Sequence, residues 1–188
     1  YGAAGPCPMT GTAIEENDIY GANRSGIEIA GGVKDLIIRS NKIHDNGMSD
    51  TTDSIKYGNG ILMIRGNNDK EDSSGLGPEN LTIQNNEIYN NEKNGIYSGP
   101  MIKDTLIKEN RIQNNGWHGV VVDLQEQYYS GVNPVLDGAT GVTLTDNTIT
   151  GNTTGAAVQG DPSNSFVLKA IKNWWGTNVN AEIQAAVS

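Results

Sequence analysis

The side chains able to do acid–base or metal chemistry are few here, and no familiar motif collects them. The sequence has two histidines, His44 and His118, and one cysteine, Cys7. A lone cysteine forms no internal disulfide, and no Cys/His spacing reads as a zinc site. Carboxylates are commoner. Asp50, Asp53, Asp69, Glu71, Asp72 and Asp123 fall in or beside irregular stretches, where oxygen ligands can gather around a hard cation such as calcium. The densest run, "NNDKED" at 67–72, lacks the spacing of a calcium-loop signature and reads first as a solvated charged loop. What these groups can do depends on the elements that carry them.

The whole chain bounds those elements. Its 188 residues suffice for one domain with a sizeable core. A net charge of -9 and a pI of about 4.6 argue against a nucleic-acid partner, whose phosphates need a basic face. No apolar run approaches the roughly 18 residues of a membrane span. No secretory signal is visible; the chain opens abruptly at Tyr1 and is expected to be a mature, trimmed or partial form. There are 24 glycines, 23 asparagines and one phenylalanine, so the core must be built from Ile, Leu, Val and stacked polar groups.

The asparagines are periodic. Anchors recur at Asn17, Asn41, Asn86, Asn110, Asn147 and Asn173, each followed two residues later by Ile19, Ile43, Ile88, Ile112, Ile149 or Trp175. Five residues after the anchor stand Asn46, Asn91, Asn115, Asn152 and Asn178, with Ala22 the exception. Three before it stand Ile14, Ile38, Ile83, Ile107, Leu144 and Ala170. A Gly-led apolar stretch closes each copy: "GIEI" at 26, "GILM" at 60, "GIYS" at 95, "GVVV" at 119 and "GAAV" at 155. Each copy thus holds three short alternating stretches that read as strands. The shortest anchor spacing, 24 residues, fits one turn of a three-sided solenoid and is too short for a helix pair. Stacked turns place equivalent residues about 4.8 Å apart. A corner Asn can take a left-handed backbone, and its amide can bond to the Asn above and below. The sequence therefore predicts an all-β parallel β-helix of about six coils and three parallel sheets, one domain over 1–188, held by an asparagine ladder. A short capping helix is expected after Asn180, with Ile183, Ala186 and Val187 on one face.

This pattern, over roughly residues 11–178, resembles the right-handed, single-stranded parallel β-helix of the pectate-lyase-like superfamily. The "NWWGTN" of the last copy resembles a terminal-coil motif of extracellular β-helix proteins; at the final coil Trp174 and Trp175 are expected to pack, with a sugar platform as their alternative role. The resemblance implies a secreted or cell-surface protein that engages polysaccharide along the sheet of Gly-led strands.

Three interruptions border that sheet: 47–59, 65–80 and 123–140. Strand alternation turns Glu28, Leu62, Ile64, Tyr97, Val121, Asp123, Ala157 and Gln159 outward there, with Arg65, His118, Tyr57, Tyr128 and Tyr129 at the margins. Glu28, Tyr57, Tyr97, Asp123 and Tyr128 are the expected sugar-binding residues. If the chain is a lyase or epimerase of acidic polysaccharide, as the resemblance implies, it must remove the proton beside a sugar carboxylate and stabilise the enolate. Lys56, Arg65, His118 and Tyr129 are the candidate bases, and calcium on Asp69, Glu71 and Asp72 is a candidate for the second task. Glu28 and Asp123, three coils and about 14 Å apart, are too distant for paired-carboxylate glycoside hydrolysis. The Asp-Pro-His motif of alginate epimerases and the paired-Asp motifs of polygalacturonases are missing. His118, beside a strand-opening Gly, reads as a solvated turn residue, and His44 faces out of another sheet. Tyr20 and Tyr89 share that outward stripe, which Gln113 and Thr150 interrupt. A non-catalytic carbohydrate-binding, cell-surface or self-assembling module is the alternative function, and the oligomeric state is open.

Overall fold

The computed structural model describes residues 10–47, 58–65, 77–124, 139–159 and 168–176. Each coil contributes three short strands. Coil one holds β1 (Ala13–Glu15), β2 (Asp18–Tyr20) and β3 (Ile27–Ala30); coil two holds β4 (Ile37–Arg39), β5 (Lys42–His44) and β6 (Ile61–Ile64). Coil three holds β7 (Thr82–Gln84), β8 (Glu87–Tyr89) and β9 (Ile96–Ser98); coil four holds β10 (Leu106–Lys108), β11 (Arg111–Gln113) and β12 (His118–Asp123). Coil five holds β13 (Thr143–Thr145), β14 (Thr148–Thr150) and β15 (Thr154–Gln159), and β16 (Lys169–Ile171) begins a sixth. Like strands pair only with like, all parallel, in sheets ordered β1-β4-β7-β10-β13-β16, β2-β5-β8-β11-β14 and β3-β6-β9-β12-β15. The chain is a parallel β-helix. The expected capping helix, after Asn180, lies outside the described residues.

The register is set by what points inward. Ile14, Ile38, Ile83, Ile107, Leu144 and Ala170 form one file, and Ile19, Ile43, Ile88, Ile112 and Ile149 a second. Trp175 packs against the same core while Trp174 is exposed. A one-residue slip would send each file to the other face, so the repeat fixes the pairing.

The corners account for the asparagines. Each anchor accepts, at its amide oxygen, hydrogen bonds from the backbone N–H and amide of the anchor one coil earlier: Asn41 to Asn86 at 3.0 and 3.0 Å, Asn86 to Asn110 at 3.0 and 2.9 Å. The series runs unbroken from Asn17 to Asn173. A second ladder joins Asn46, Asn91, Asn115 and Asn152. Ala22 enters it only through its backbone N–H, 3.1 Å from Asn46 Oδ1.

The left-handed residue is not the ladder Asn, as expected, but its predecessor. Glu16, Ser40, Asn85, Glu109, Asp146 and Lys172 have φ between 53° and 58° before the anchors. Gly21, Asp45, Asn90, Asn114 and Gly151 are likewise positive before the second column. Turning at the preceding residue leaves the Asn side chain aimed inward, where its bonds are made.

The strand-opening glycines have a different cause. A Cβ on Gly95 would lie 2.6 Å from the Gly119 carbonyl oxygen and 2.6 Å from Ile112 Cγ2, and Gly60 and Gly119 are as tightly enclosed. The first interruption leaves and re-enters at Gly47 and Gly58, where a Cβ on Gly47 would come within 2.2 Å of the Gly58 Cα. Glu92 and Lys93 occupy the matching places in coil three, bonded to Asn46 O and Gly58 O. The insertion is therefore pinched off at its base and leaves the stacking intact.

Candidate functional site

The face to be tested is the outer side of the sheet β3-β6-β9-β12-β15. Glu28, Leu62, Tyr97, Val121 and Ala157 form a row across it. They do point away from the core, in a cluster of their own: Leu62, Tyr97 and Val121, with Ile64 packed beside them. The expectation that this row is open to a partner is corrected. Leu62 is 0 %, Val121 1 %, Tyr97 4 % and Asp123 1 % exposed. Only at the coil-one end is the row open, where exposed Glu28 stands 3.9 Å from Arg24.

At the centre of the closed face is one polar pair. Tyr97 pairs in register with Val121, and Asp123 lies two residues further along the same side of β12. Such a diagonal neighbour is within reach of a tyrosine ring. Tyr97 Oη donates to Asp123 Oδ2 at 2.6 Å, the length of a charge-assisted bond. A carboxylate shut from water is kept only with such donors. Arg65, half-buried, follows directly on β6.

His118 is not a solvated turn residue. It stands in a third polar column, made of the residue before each strand-opening Gly: Ser25, Asn59, Asn94, His118 and Thr154. Asn59 donates to Ser25 Oγ at 3.4 Å, Asn94 to Asn59 Oδ1 at 2.9 Å, and the His118 backbone N–H to Asn94 Oδ1 at 3.3 Å. His118 itself pairs with Thr154. Its Nδ1 is buried with no partner, and burial lowers its pKa. The cue in the sequence was a polar residue before every one of these glycines, in changing types.

Lys56, Tyr57, Tyr128 and Tyr129, and the carboxylates Asp50, Asp53, Asp69, Glu71 and Asp72, lie outside the described residues. Among the described residues no group of three or more His, Cys, Asp and Glu is placed to hold a metal ion, and no helix is long and apolar enough to cross a membrane. The structure therefore brings together Tyr97 and Asp123 and leaves Glu28 two strands from Tyr97 and three from Asp123. On the outward stripe of the second sheet His44 stands in register between Tyr20 and Tyr89, giving a row of three rings over coils one to three, and Gln113 and Thr150 interrupt the row beyond them, as expected.

The family described as a right handed beta helix region matches residues 9–171. Among solved structures, the periplasmic alginate epimerase AlgG is similar with a TM-score of 0.57 and 17 % identity over 88 % of this chain. A mutant form of that enzyme gives 0.56 and 17 % over 87 %. In both cases the match spans 39 % of the enzyme's chain. At that identity the likeness is one of fold. No curated protein matches.

Proposed function

The chain belongs to the right-handed β-helix family, and from that premise we propose that it engages polysaccharide outside the cytoplasm, along the outer face of the Gly-led sheet. One observation carries the reading: the outward side chains of this sheet, Leu62, Tyr97, Val121 and Asp123, are shut from water. Those of the second sheet, Asp18, Tyr20, Lys42, Glu87 and Arg111 among them, are exposed or half-buried. Ligand sites are commonly lined by apolar side chains around a few placed polar groups, and since these four are closed to solvent a sugar reaches them only if what covers the face gives way. Tyr97 and Asp123 supply one donor-acceptor and one acceptor for sugar hydroxyls, and Leu62 and Val121 a floor for the apolar side of a sugar ring. The similarity in fold to a periplasmic alginate epimerase points to a uronic-acid polymer as the first ligand to test.

Catalysis is the finer form of this reading. Epimerisation and β-elimination share one first step, loss of the proton beside the sugar carboxylate. The candidate bases for that step are Lys56, Arg65, His118 and Tyr129; the His118 backbone N–H belongs to a corner column, while its ring Nδ1 has no hydrogen-bond partner. Asp69, Glu71 and Asp72, outside the described residues, stay the candidate ligands for calcium, which would stabilise the enolate. The test is retardation in gels containing alginate or pectate, with and without calcium. It is paired with ultraviolet detection of unsaturated ends and proton NMR of C5 inversion. Retardation that Tyr97→Phe and Asp123→Asn weaken supports the site, and either product adds the reaction. Retardation with no product leaves a binding module. No retardation and no product on either polymer overturns the proposal.

A further inference from the structure

Tyr20 on β2, His44 on β5 and Tyr89 on β8 stand in register on the outer side of the second sheet. Their planes are nearly parallel. Tyr20 and His44 have centroids 5.3 Å apart at 12°, and His44 and Tyr89 4.7 Å apart at 7°. Both nitrogens of the middle ring meet carboxylates: Nε2 is 2.9 Å from Asp18 Oδ1 and Nδ1 is 2.6 Å from Asp45 Oδ2. A neutral imidazole donates from one nitrogen only. In that form one contact sets a lone pair against a carboxylate oxygen. The imidazolium satisfies both, and a phenol face on each side favours a cation further.

Coil one depends on such a link. The outward positions of β1 and β2 are all exposed. On the second ladder the coil has Ala22 where the other coils have Asn, so that corner lacks the amide-to-amide rung and keeps the Ala22 N–H on Asn46 Oδ1, the bond from Asn46 Nδ2 to Ile19 O and the backbone bonds of Gly21 to Asp45 O and Gly47 to Ala22 O. Asp18 is therefore its charged connection to coil two on this sheet. On the first sheet the exposed Glu15–Arg39 ion pair also joins coil one to coil two, with no imidazole in it.

We propose that His44, as the imidazolium, is a proton-dependent staple that holds coil one on the solenoid. The groups facing it are Asp18 and Tyr20 from β2, Lys42 and Asp45 from its own coil, and Glu87 and Tyr89 from β8. Of these only Lys42 opposes the charge. Burial by itself lowers the His44 pKa, but the bonds to Asp45 and Asp18 and their charges outweigh it and raise the pKa above 6.5. Tyr89 stays a neutral phenol, its pKa raised first by burial and then by Asp18, Asp45 and Glu87. A raised pKa in the attached state means that the staple is fully closed below the detached histidine value of about 6.5. It is lost as pH rises through the higher, attached value. Because β3 of coil one flanks β6, detachment also uncovers the Leu62 end of the closed face, whatever that face binds.

The experiment is amide hydrogen exchange of peptides spanning residues 13–30, corrected for intrinsic exchange rates, across the titration of His44 followed by NMR. Protection in coil one is expected to fall as pH passes the His44 pKa, by a factor equal to the ratio of its attached and detached acid constants. Coil four should not follow. His44→Gln should give low protection with no inflection, and Asp18→Asn, which keeps the ring, should move the inflection to lower pH. Should His44→Gln fail to fold, Asp18→Asn alone decides. The proposal is overturned if wild-type protection has no inflection, if His44 titrates at or below the ordinary histidine value, or if the variants keep the wild-type profile.

Discussion

Asn110 is the rung on which the ladder can be tested most sharply. Its side chain is 2 % exposed. Its amide oxygen accepts from the Asn86 backbone N–H at 3.0 Å and from the Asn86 amide at 2.9 Å. Its own amide donates to Ile83 O at 2.8 Å, Lys108 O at 2.9 Å and Asn147 Oδ1 at 3.0 Å. Asn110→Ala strands the Asn86 N–H in the interior and takes a donor from the Ile83 carbonyl. Each orphaned buried group costs about 1–3 kcal/mol. The expected loss is therefore about 2–6 kcal/mol, a large part of the roughly 5–15 kcal/mol that holds a typical domain. Asn17→Ala is the control: Asn17 is exposed, donates to Glu15 O and Asn41 Oδ1, and is the first rung among the described residues. It should cost about 1 kcal/mol or less. Asn110→Asp separates donor from acceptor roles. It keeps the oxygen for Asn86 but sets a carboxylate against three oxygens, so it should be at least as damaging at neutral pH and recover in acid, where a protonated Asp donates again. Urea unfolding followed by circular dichroism measures all three. If Asn110→Ala costs no more than Asn17→Ala, or Asn110→Asp is neutral at pH 7, the ladder is not what stabilises the corner.

Two further substitutions probe the interior. Gly95→Ala puts a methyl 2.6 Å from the Gly119 carbonyl oxygen and 2.9 Å from Asn115 Nδ2; overpacking of this kind costs about 1–3 kcal/mol, to be read as a lowered urea midpoint, and an unchanged midpoint would count against close stacking at this column. Thr105, 1 % exposed, carries a hydroxyl with no hydrogen-bond partner, so Thr105→Val should raise stability by about 1 kcal/mol in thermal unfolding, whereas a loss would mean that the hydroxyl is satisfied.

The repeat was legible because its rungs use one residue type for one job. A bond from amide to amide, copied coil after coil, needs Asn at each step, so Asn41, Asn86 and Asn110 announce the register and Ile43, Ile88 and Ile112 the core. The left-handed corner was misplaced for the opposite reason. It demands a backbone angle and no particular side chain, and an L-residue meets it for roughly 1–2 kcal/mol. Glu16, Ser40, Asn85 and Lys172 all serve, leaving no chemical trace. The column through Ser25, Asn59, Asn94 and His118 was missed in the same way, since several polar types satisfy it and His118 looked like a lone residue. Alternation did give the direction of Leu62, Tyr97 and Val121 but not their burial. A strand's period says which face a side chain takes, while what covers that face comes from residues distant in the chain.

That difference bears on what Asp123 is for. The coil needs no carboxylate at its position: in the corresponding row coils one and two carry Ala30 and Ile64, and the corners are already satisfied by three polar columns. An apolar residue of similar size would avoid the desolvation that a buried carboxylate incurs, and such replacements are often neutral or stabilising. The surface pairs Lys34–Glu79 and Arg39–Glu15 carry no comparable burden, being exposed to water. Architecture alone therefore accounts for the asparagines, the glycines and the isoleucine files, and it leaves the Tyr97–Asp123 pair over. A polar pair held at a cost, on the sheet whose strands adjoin all three interruptions, is therefore the place where the proposed recognition is to be tested.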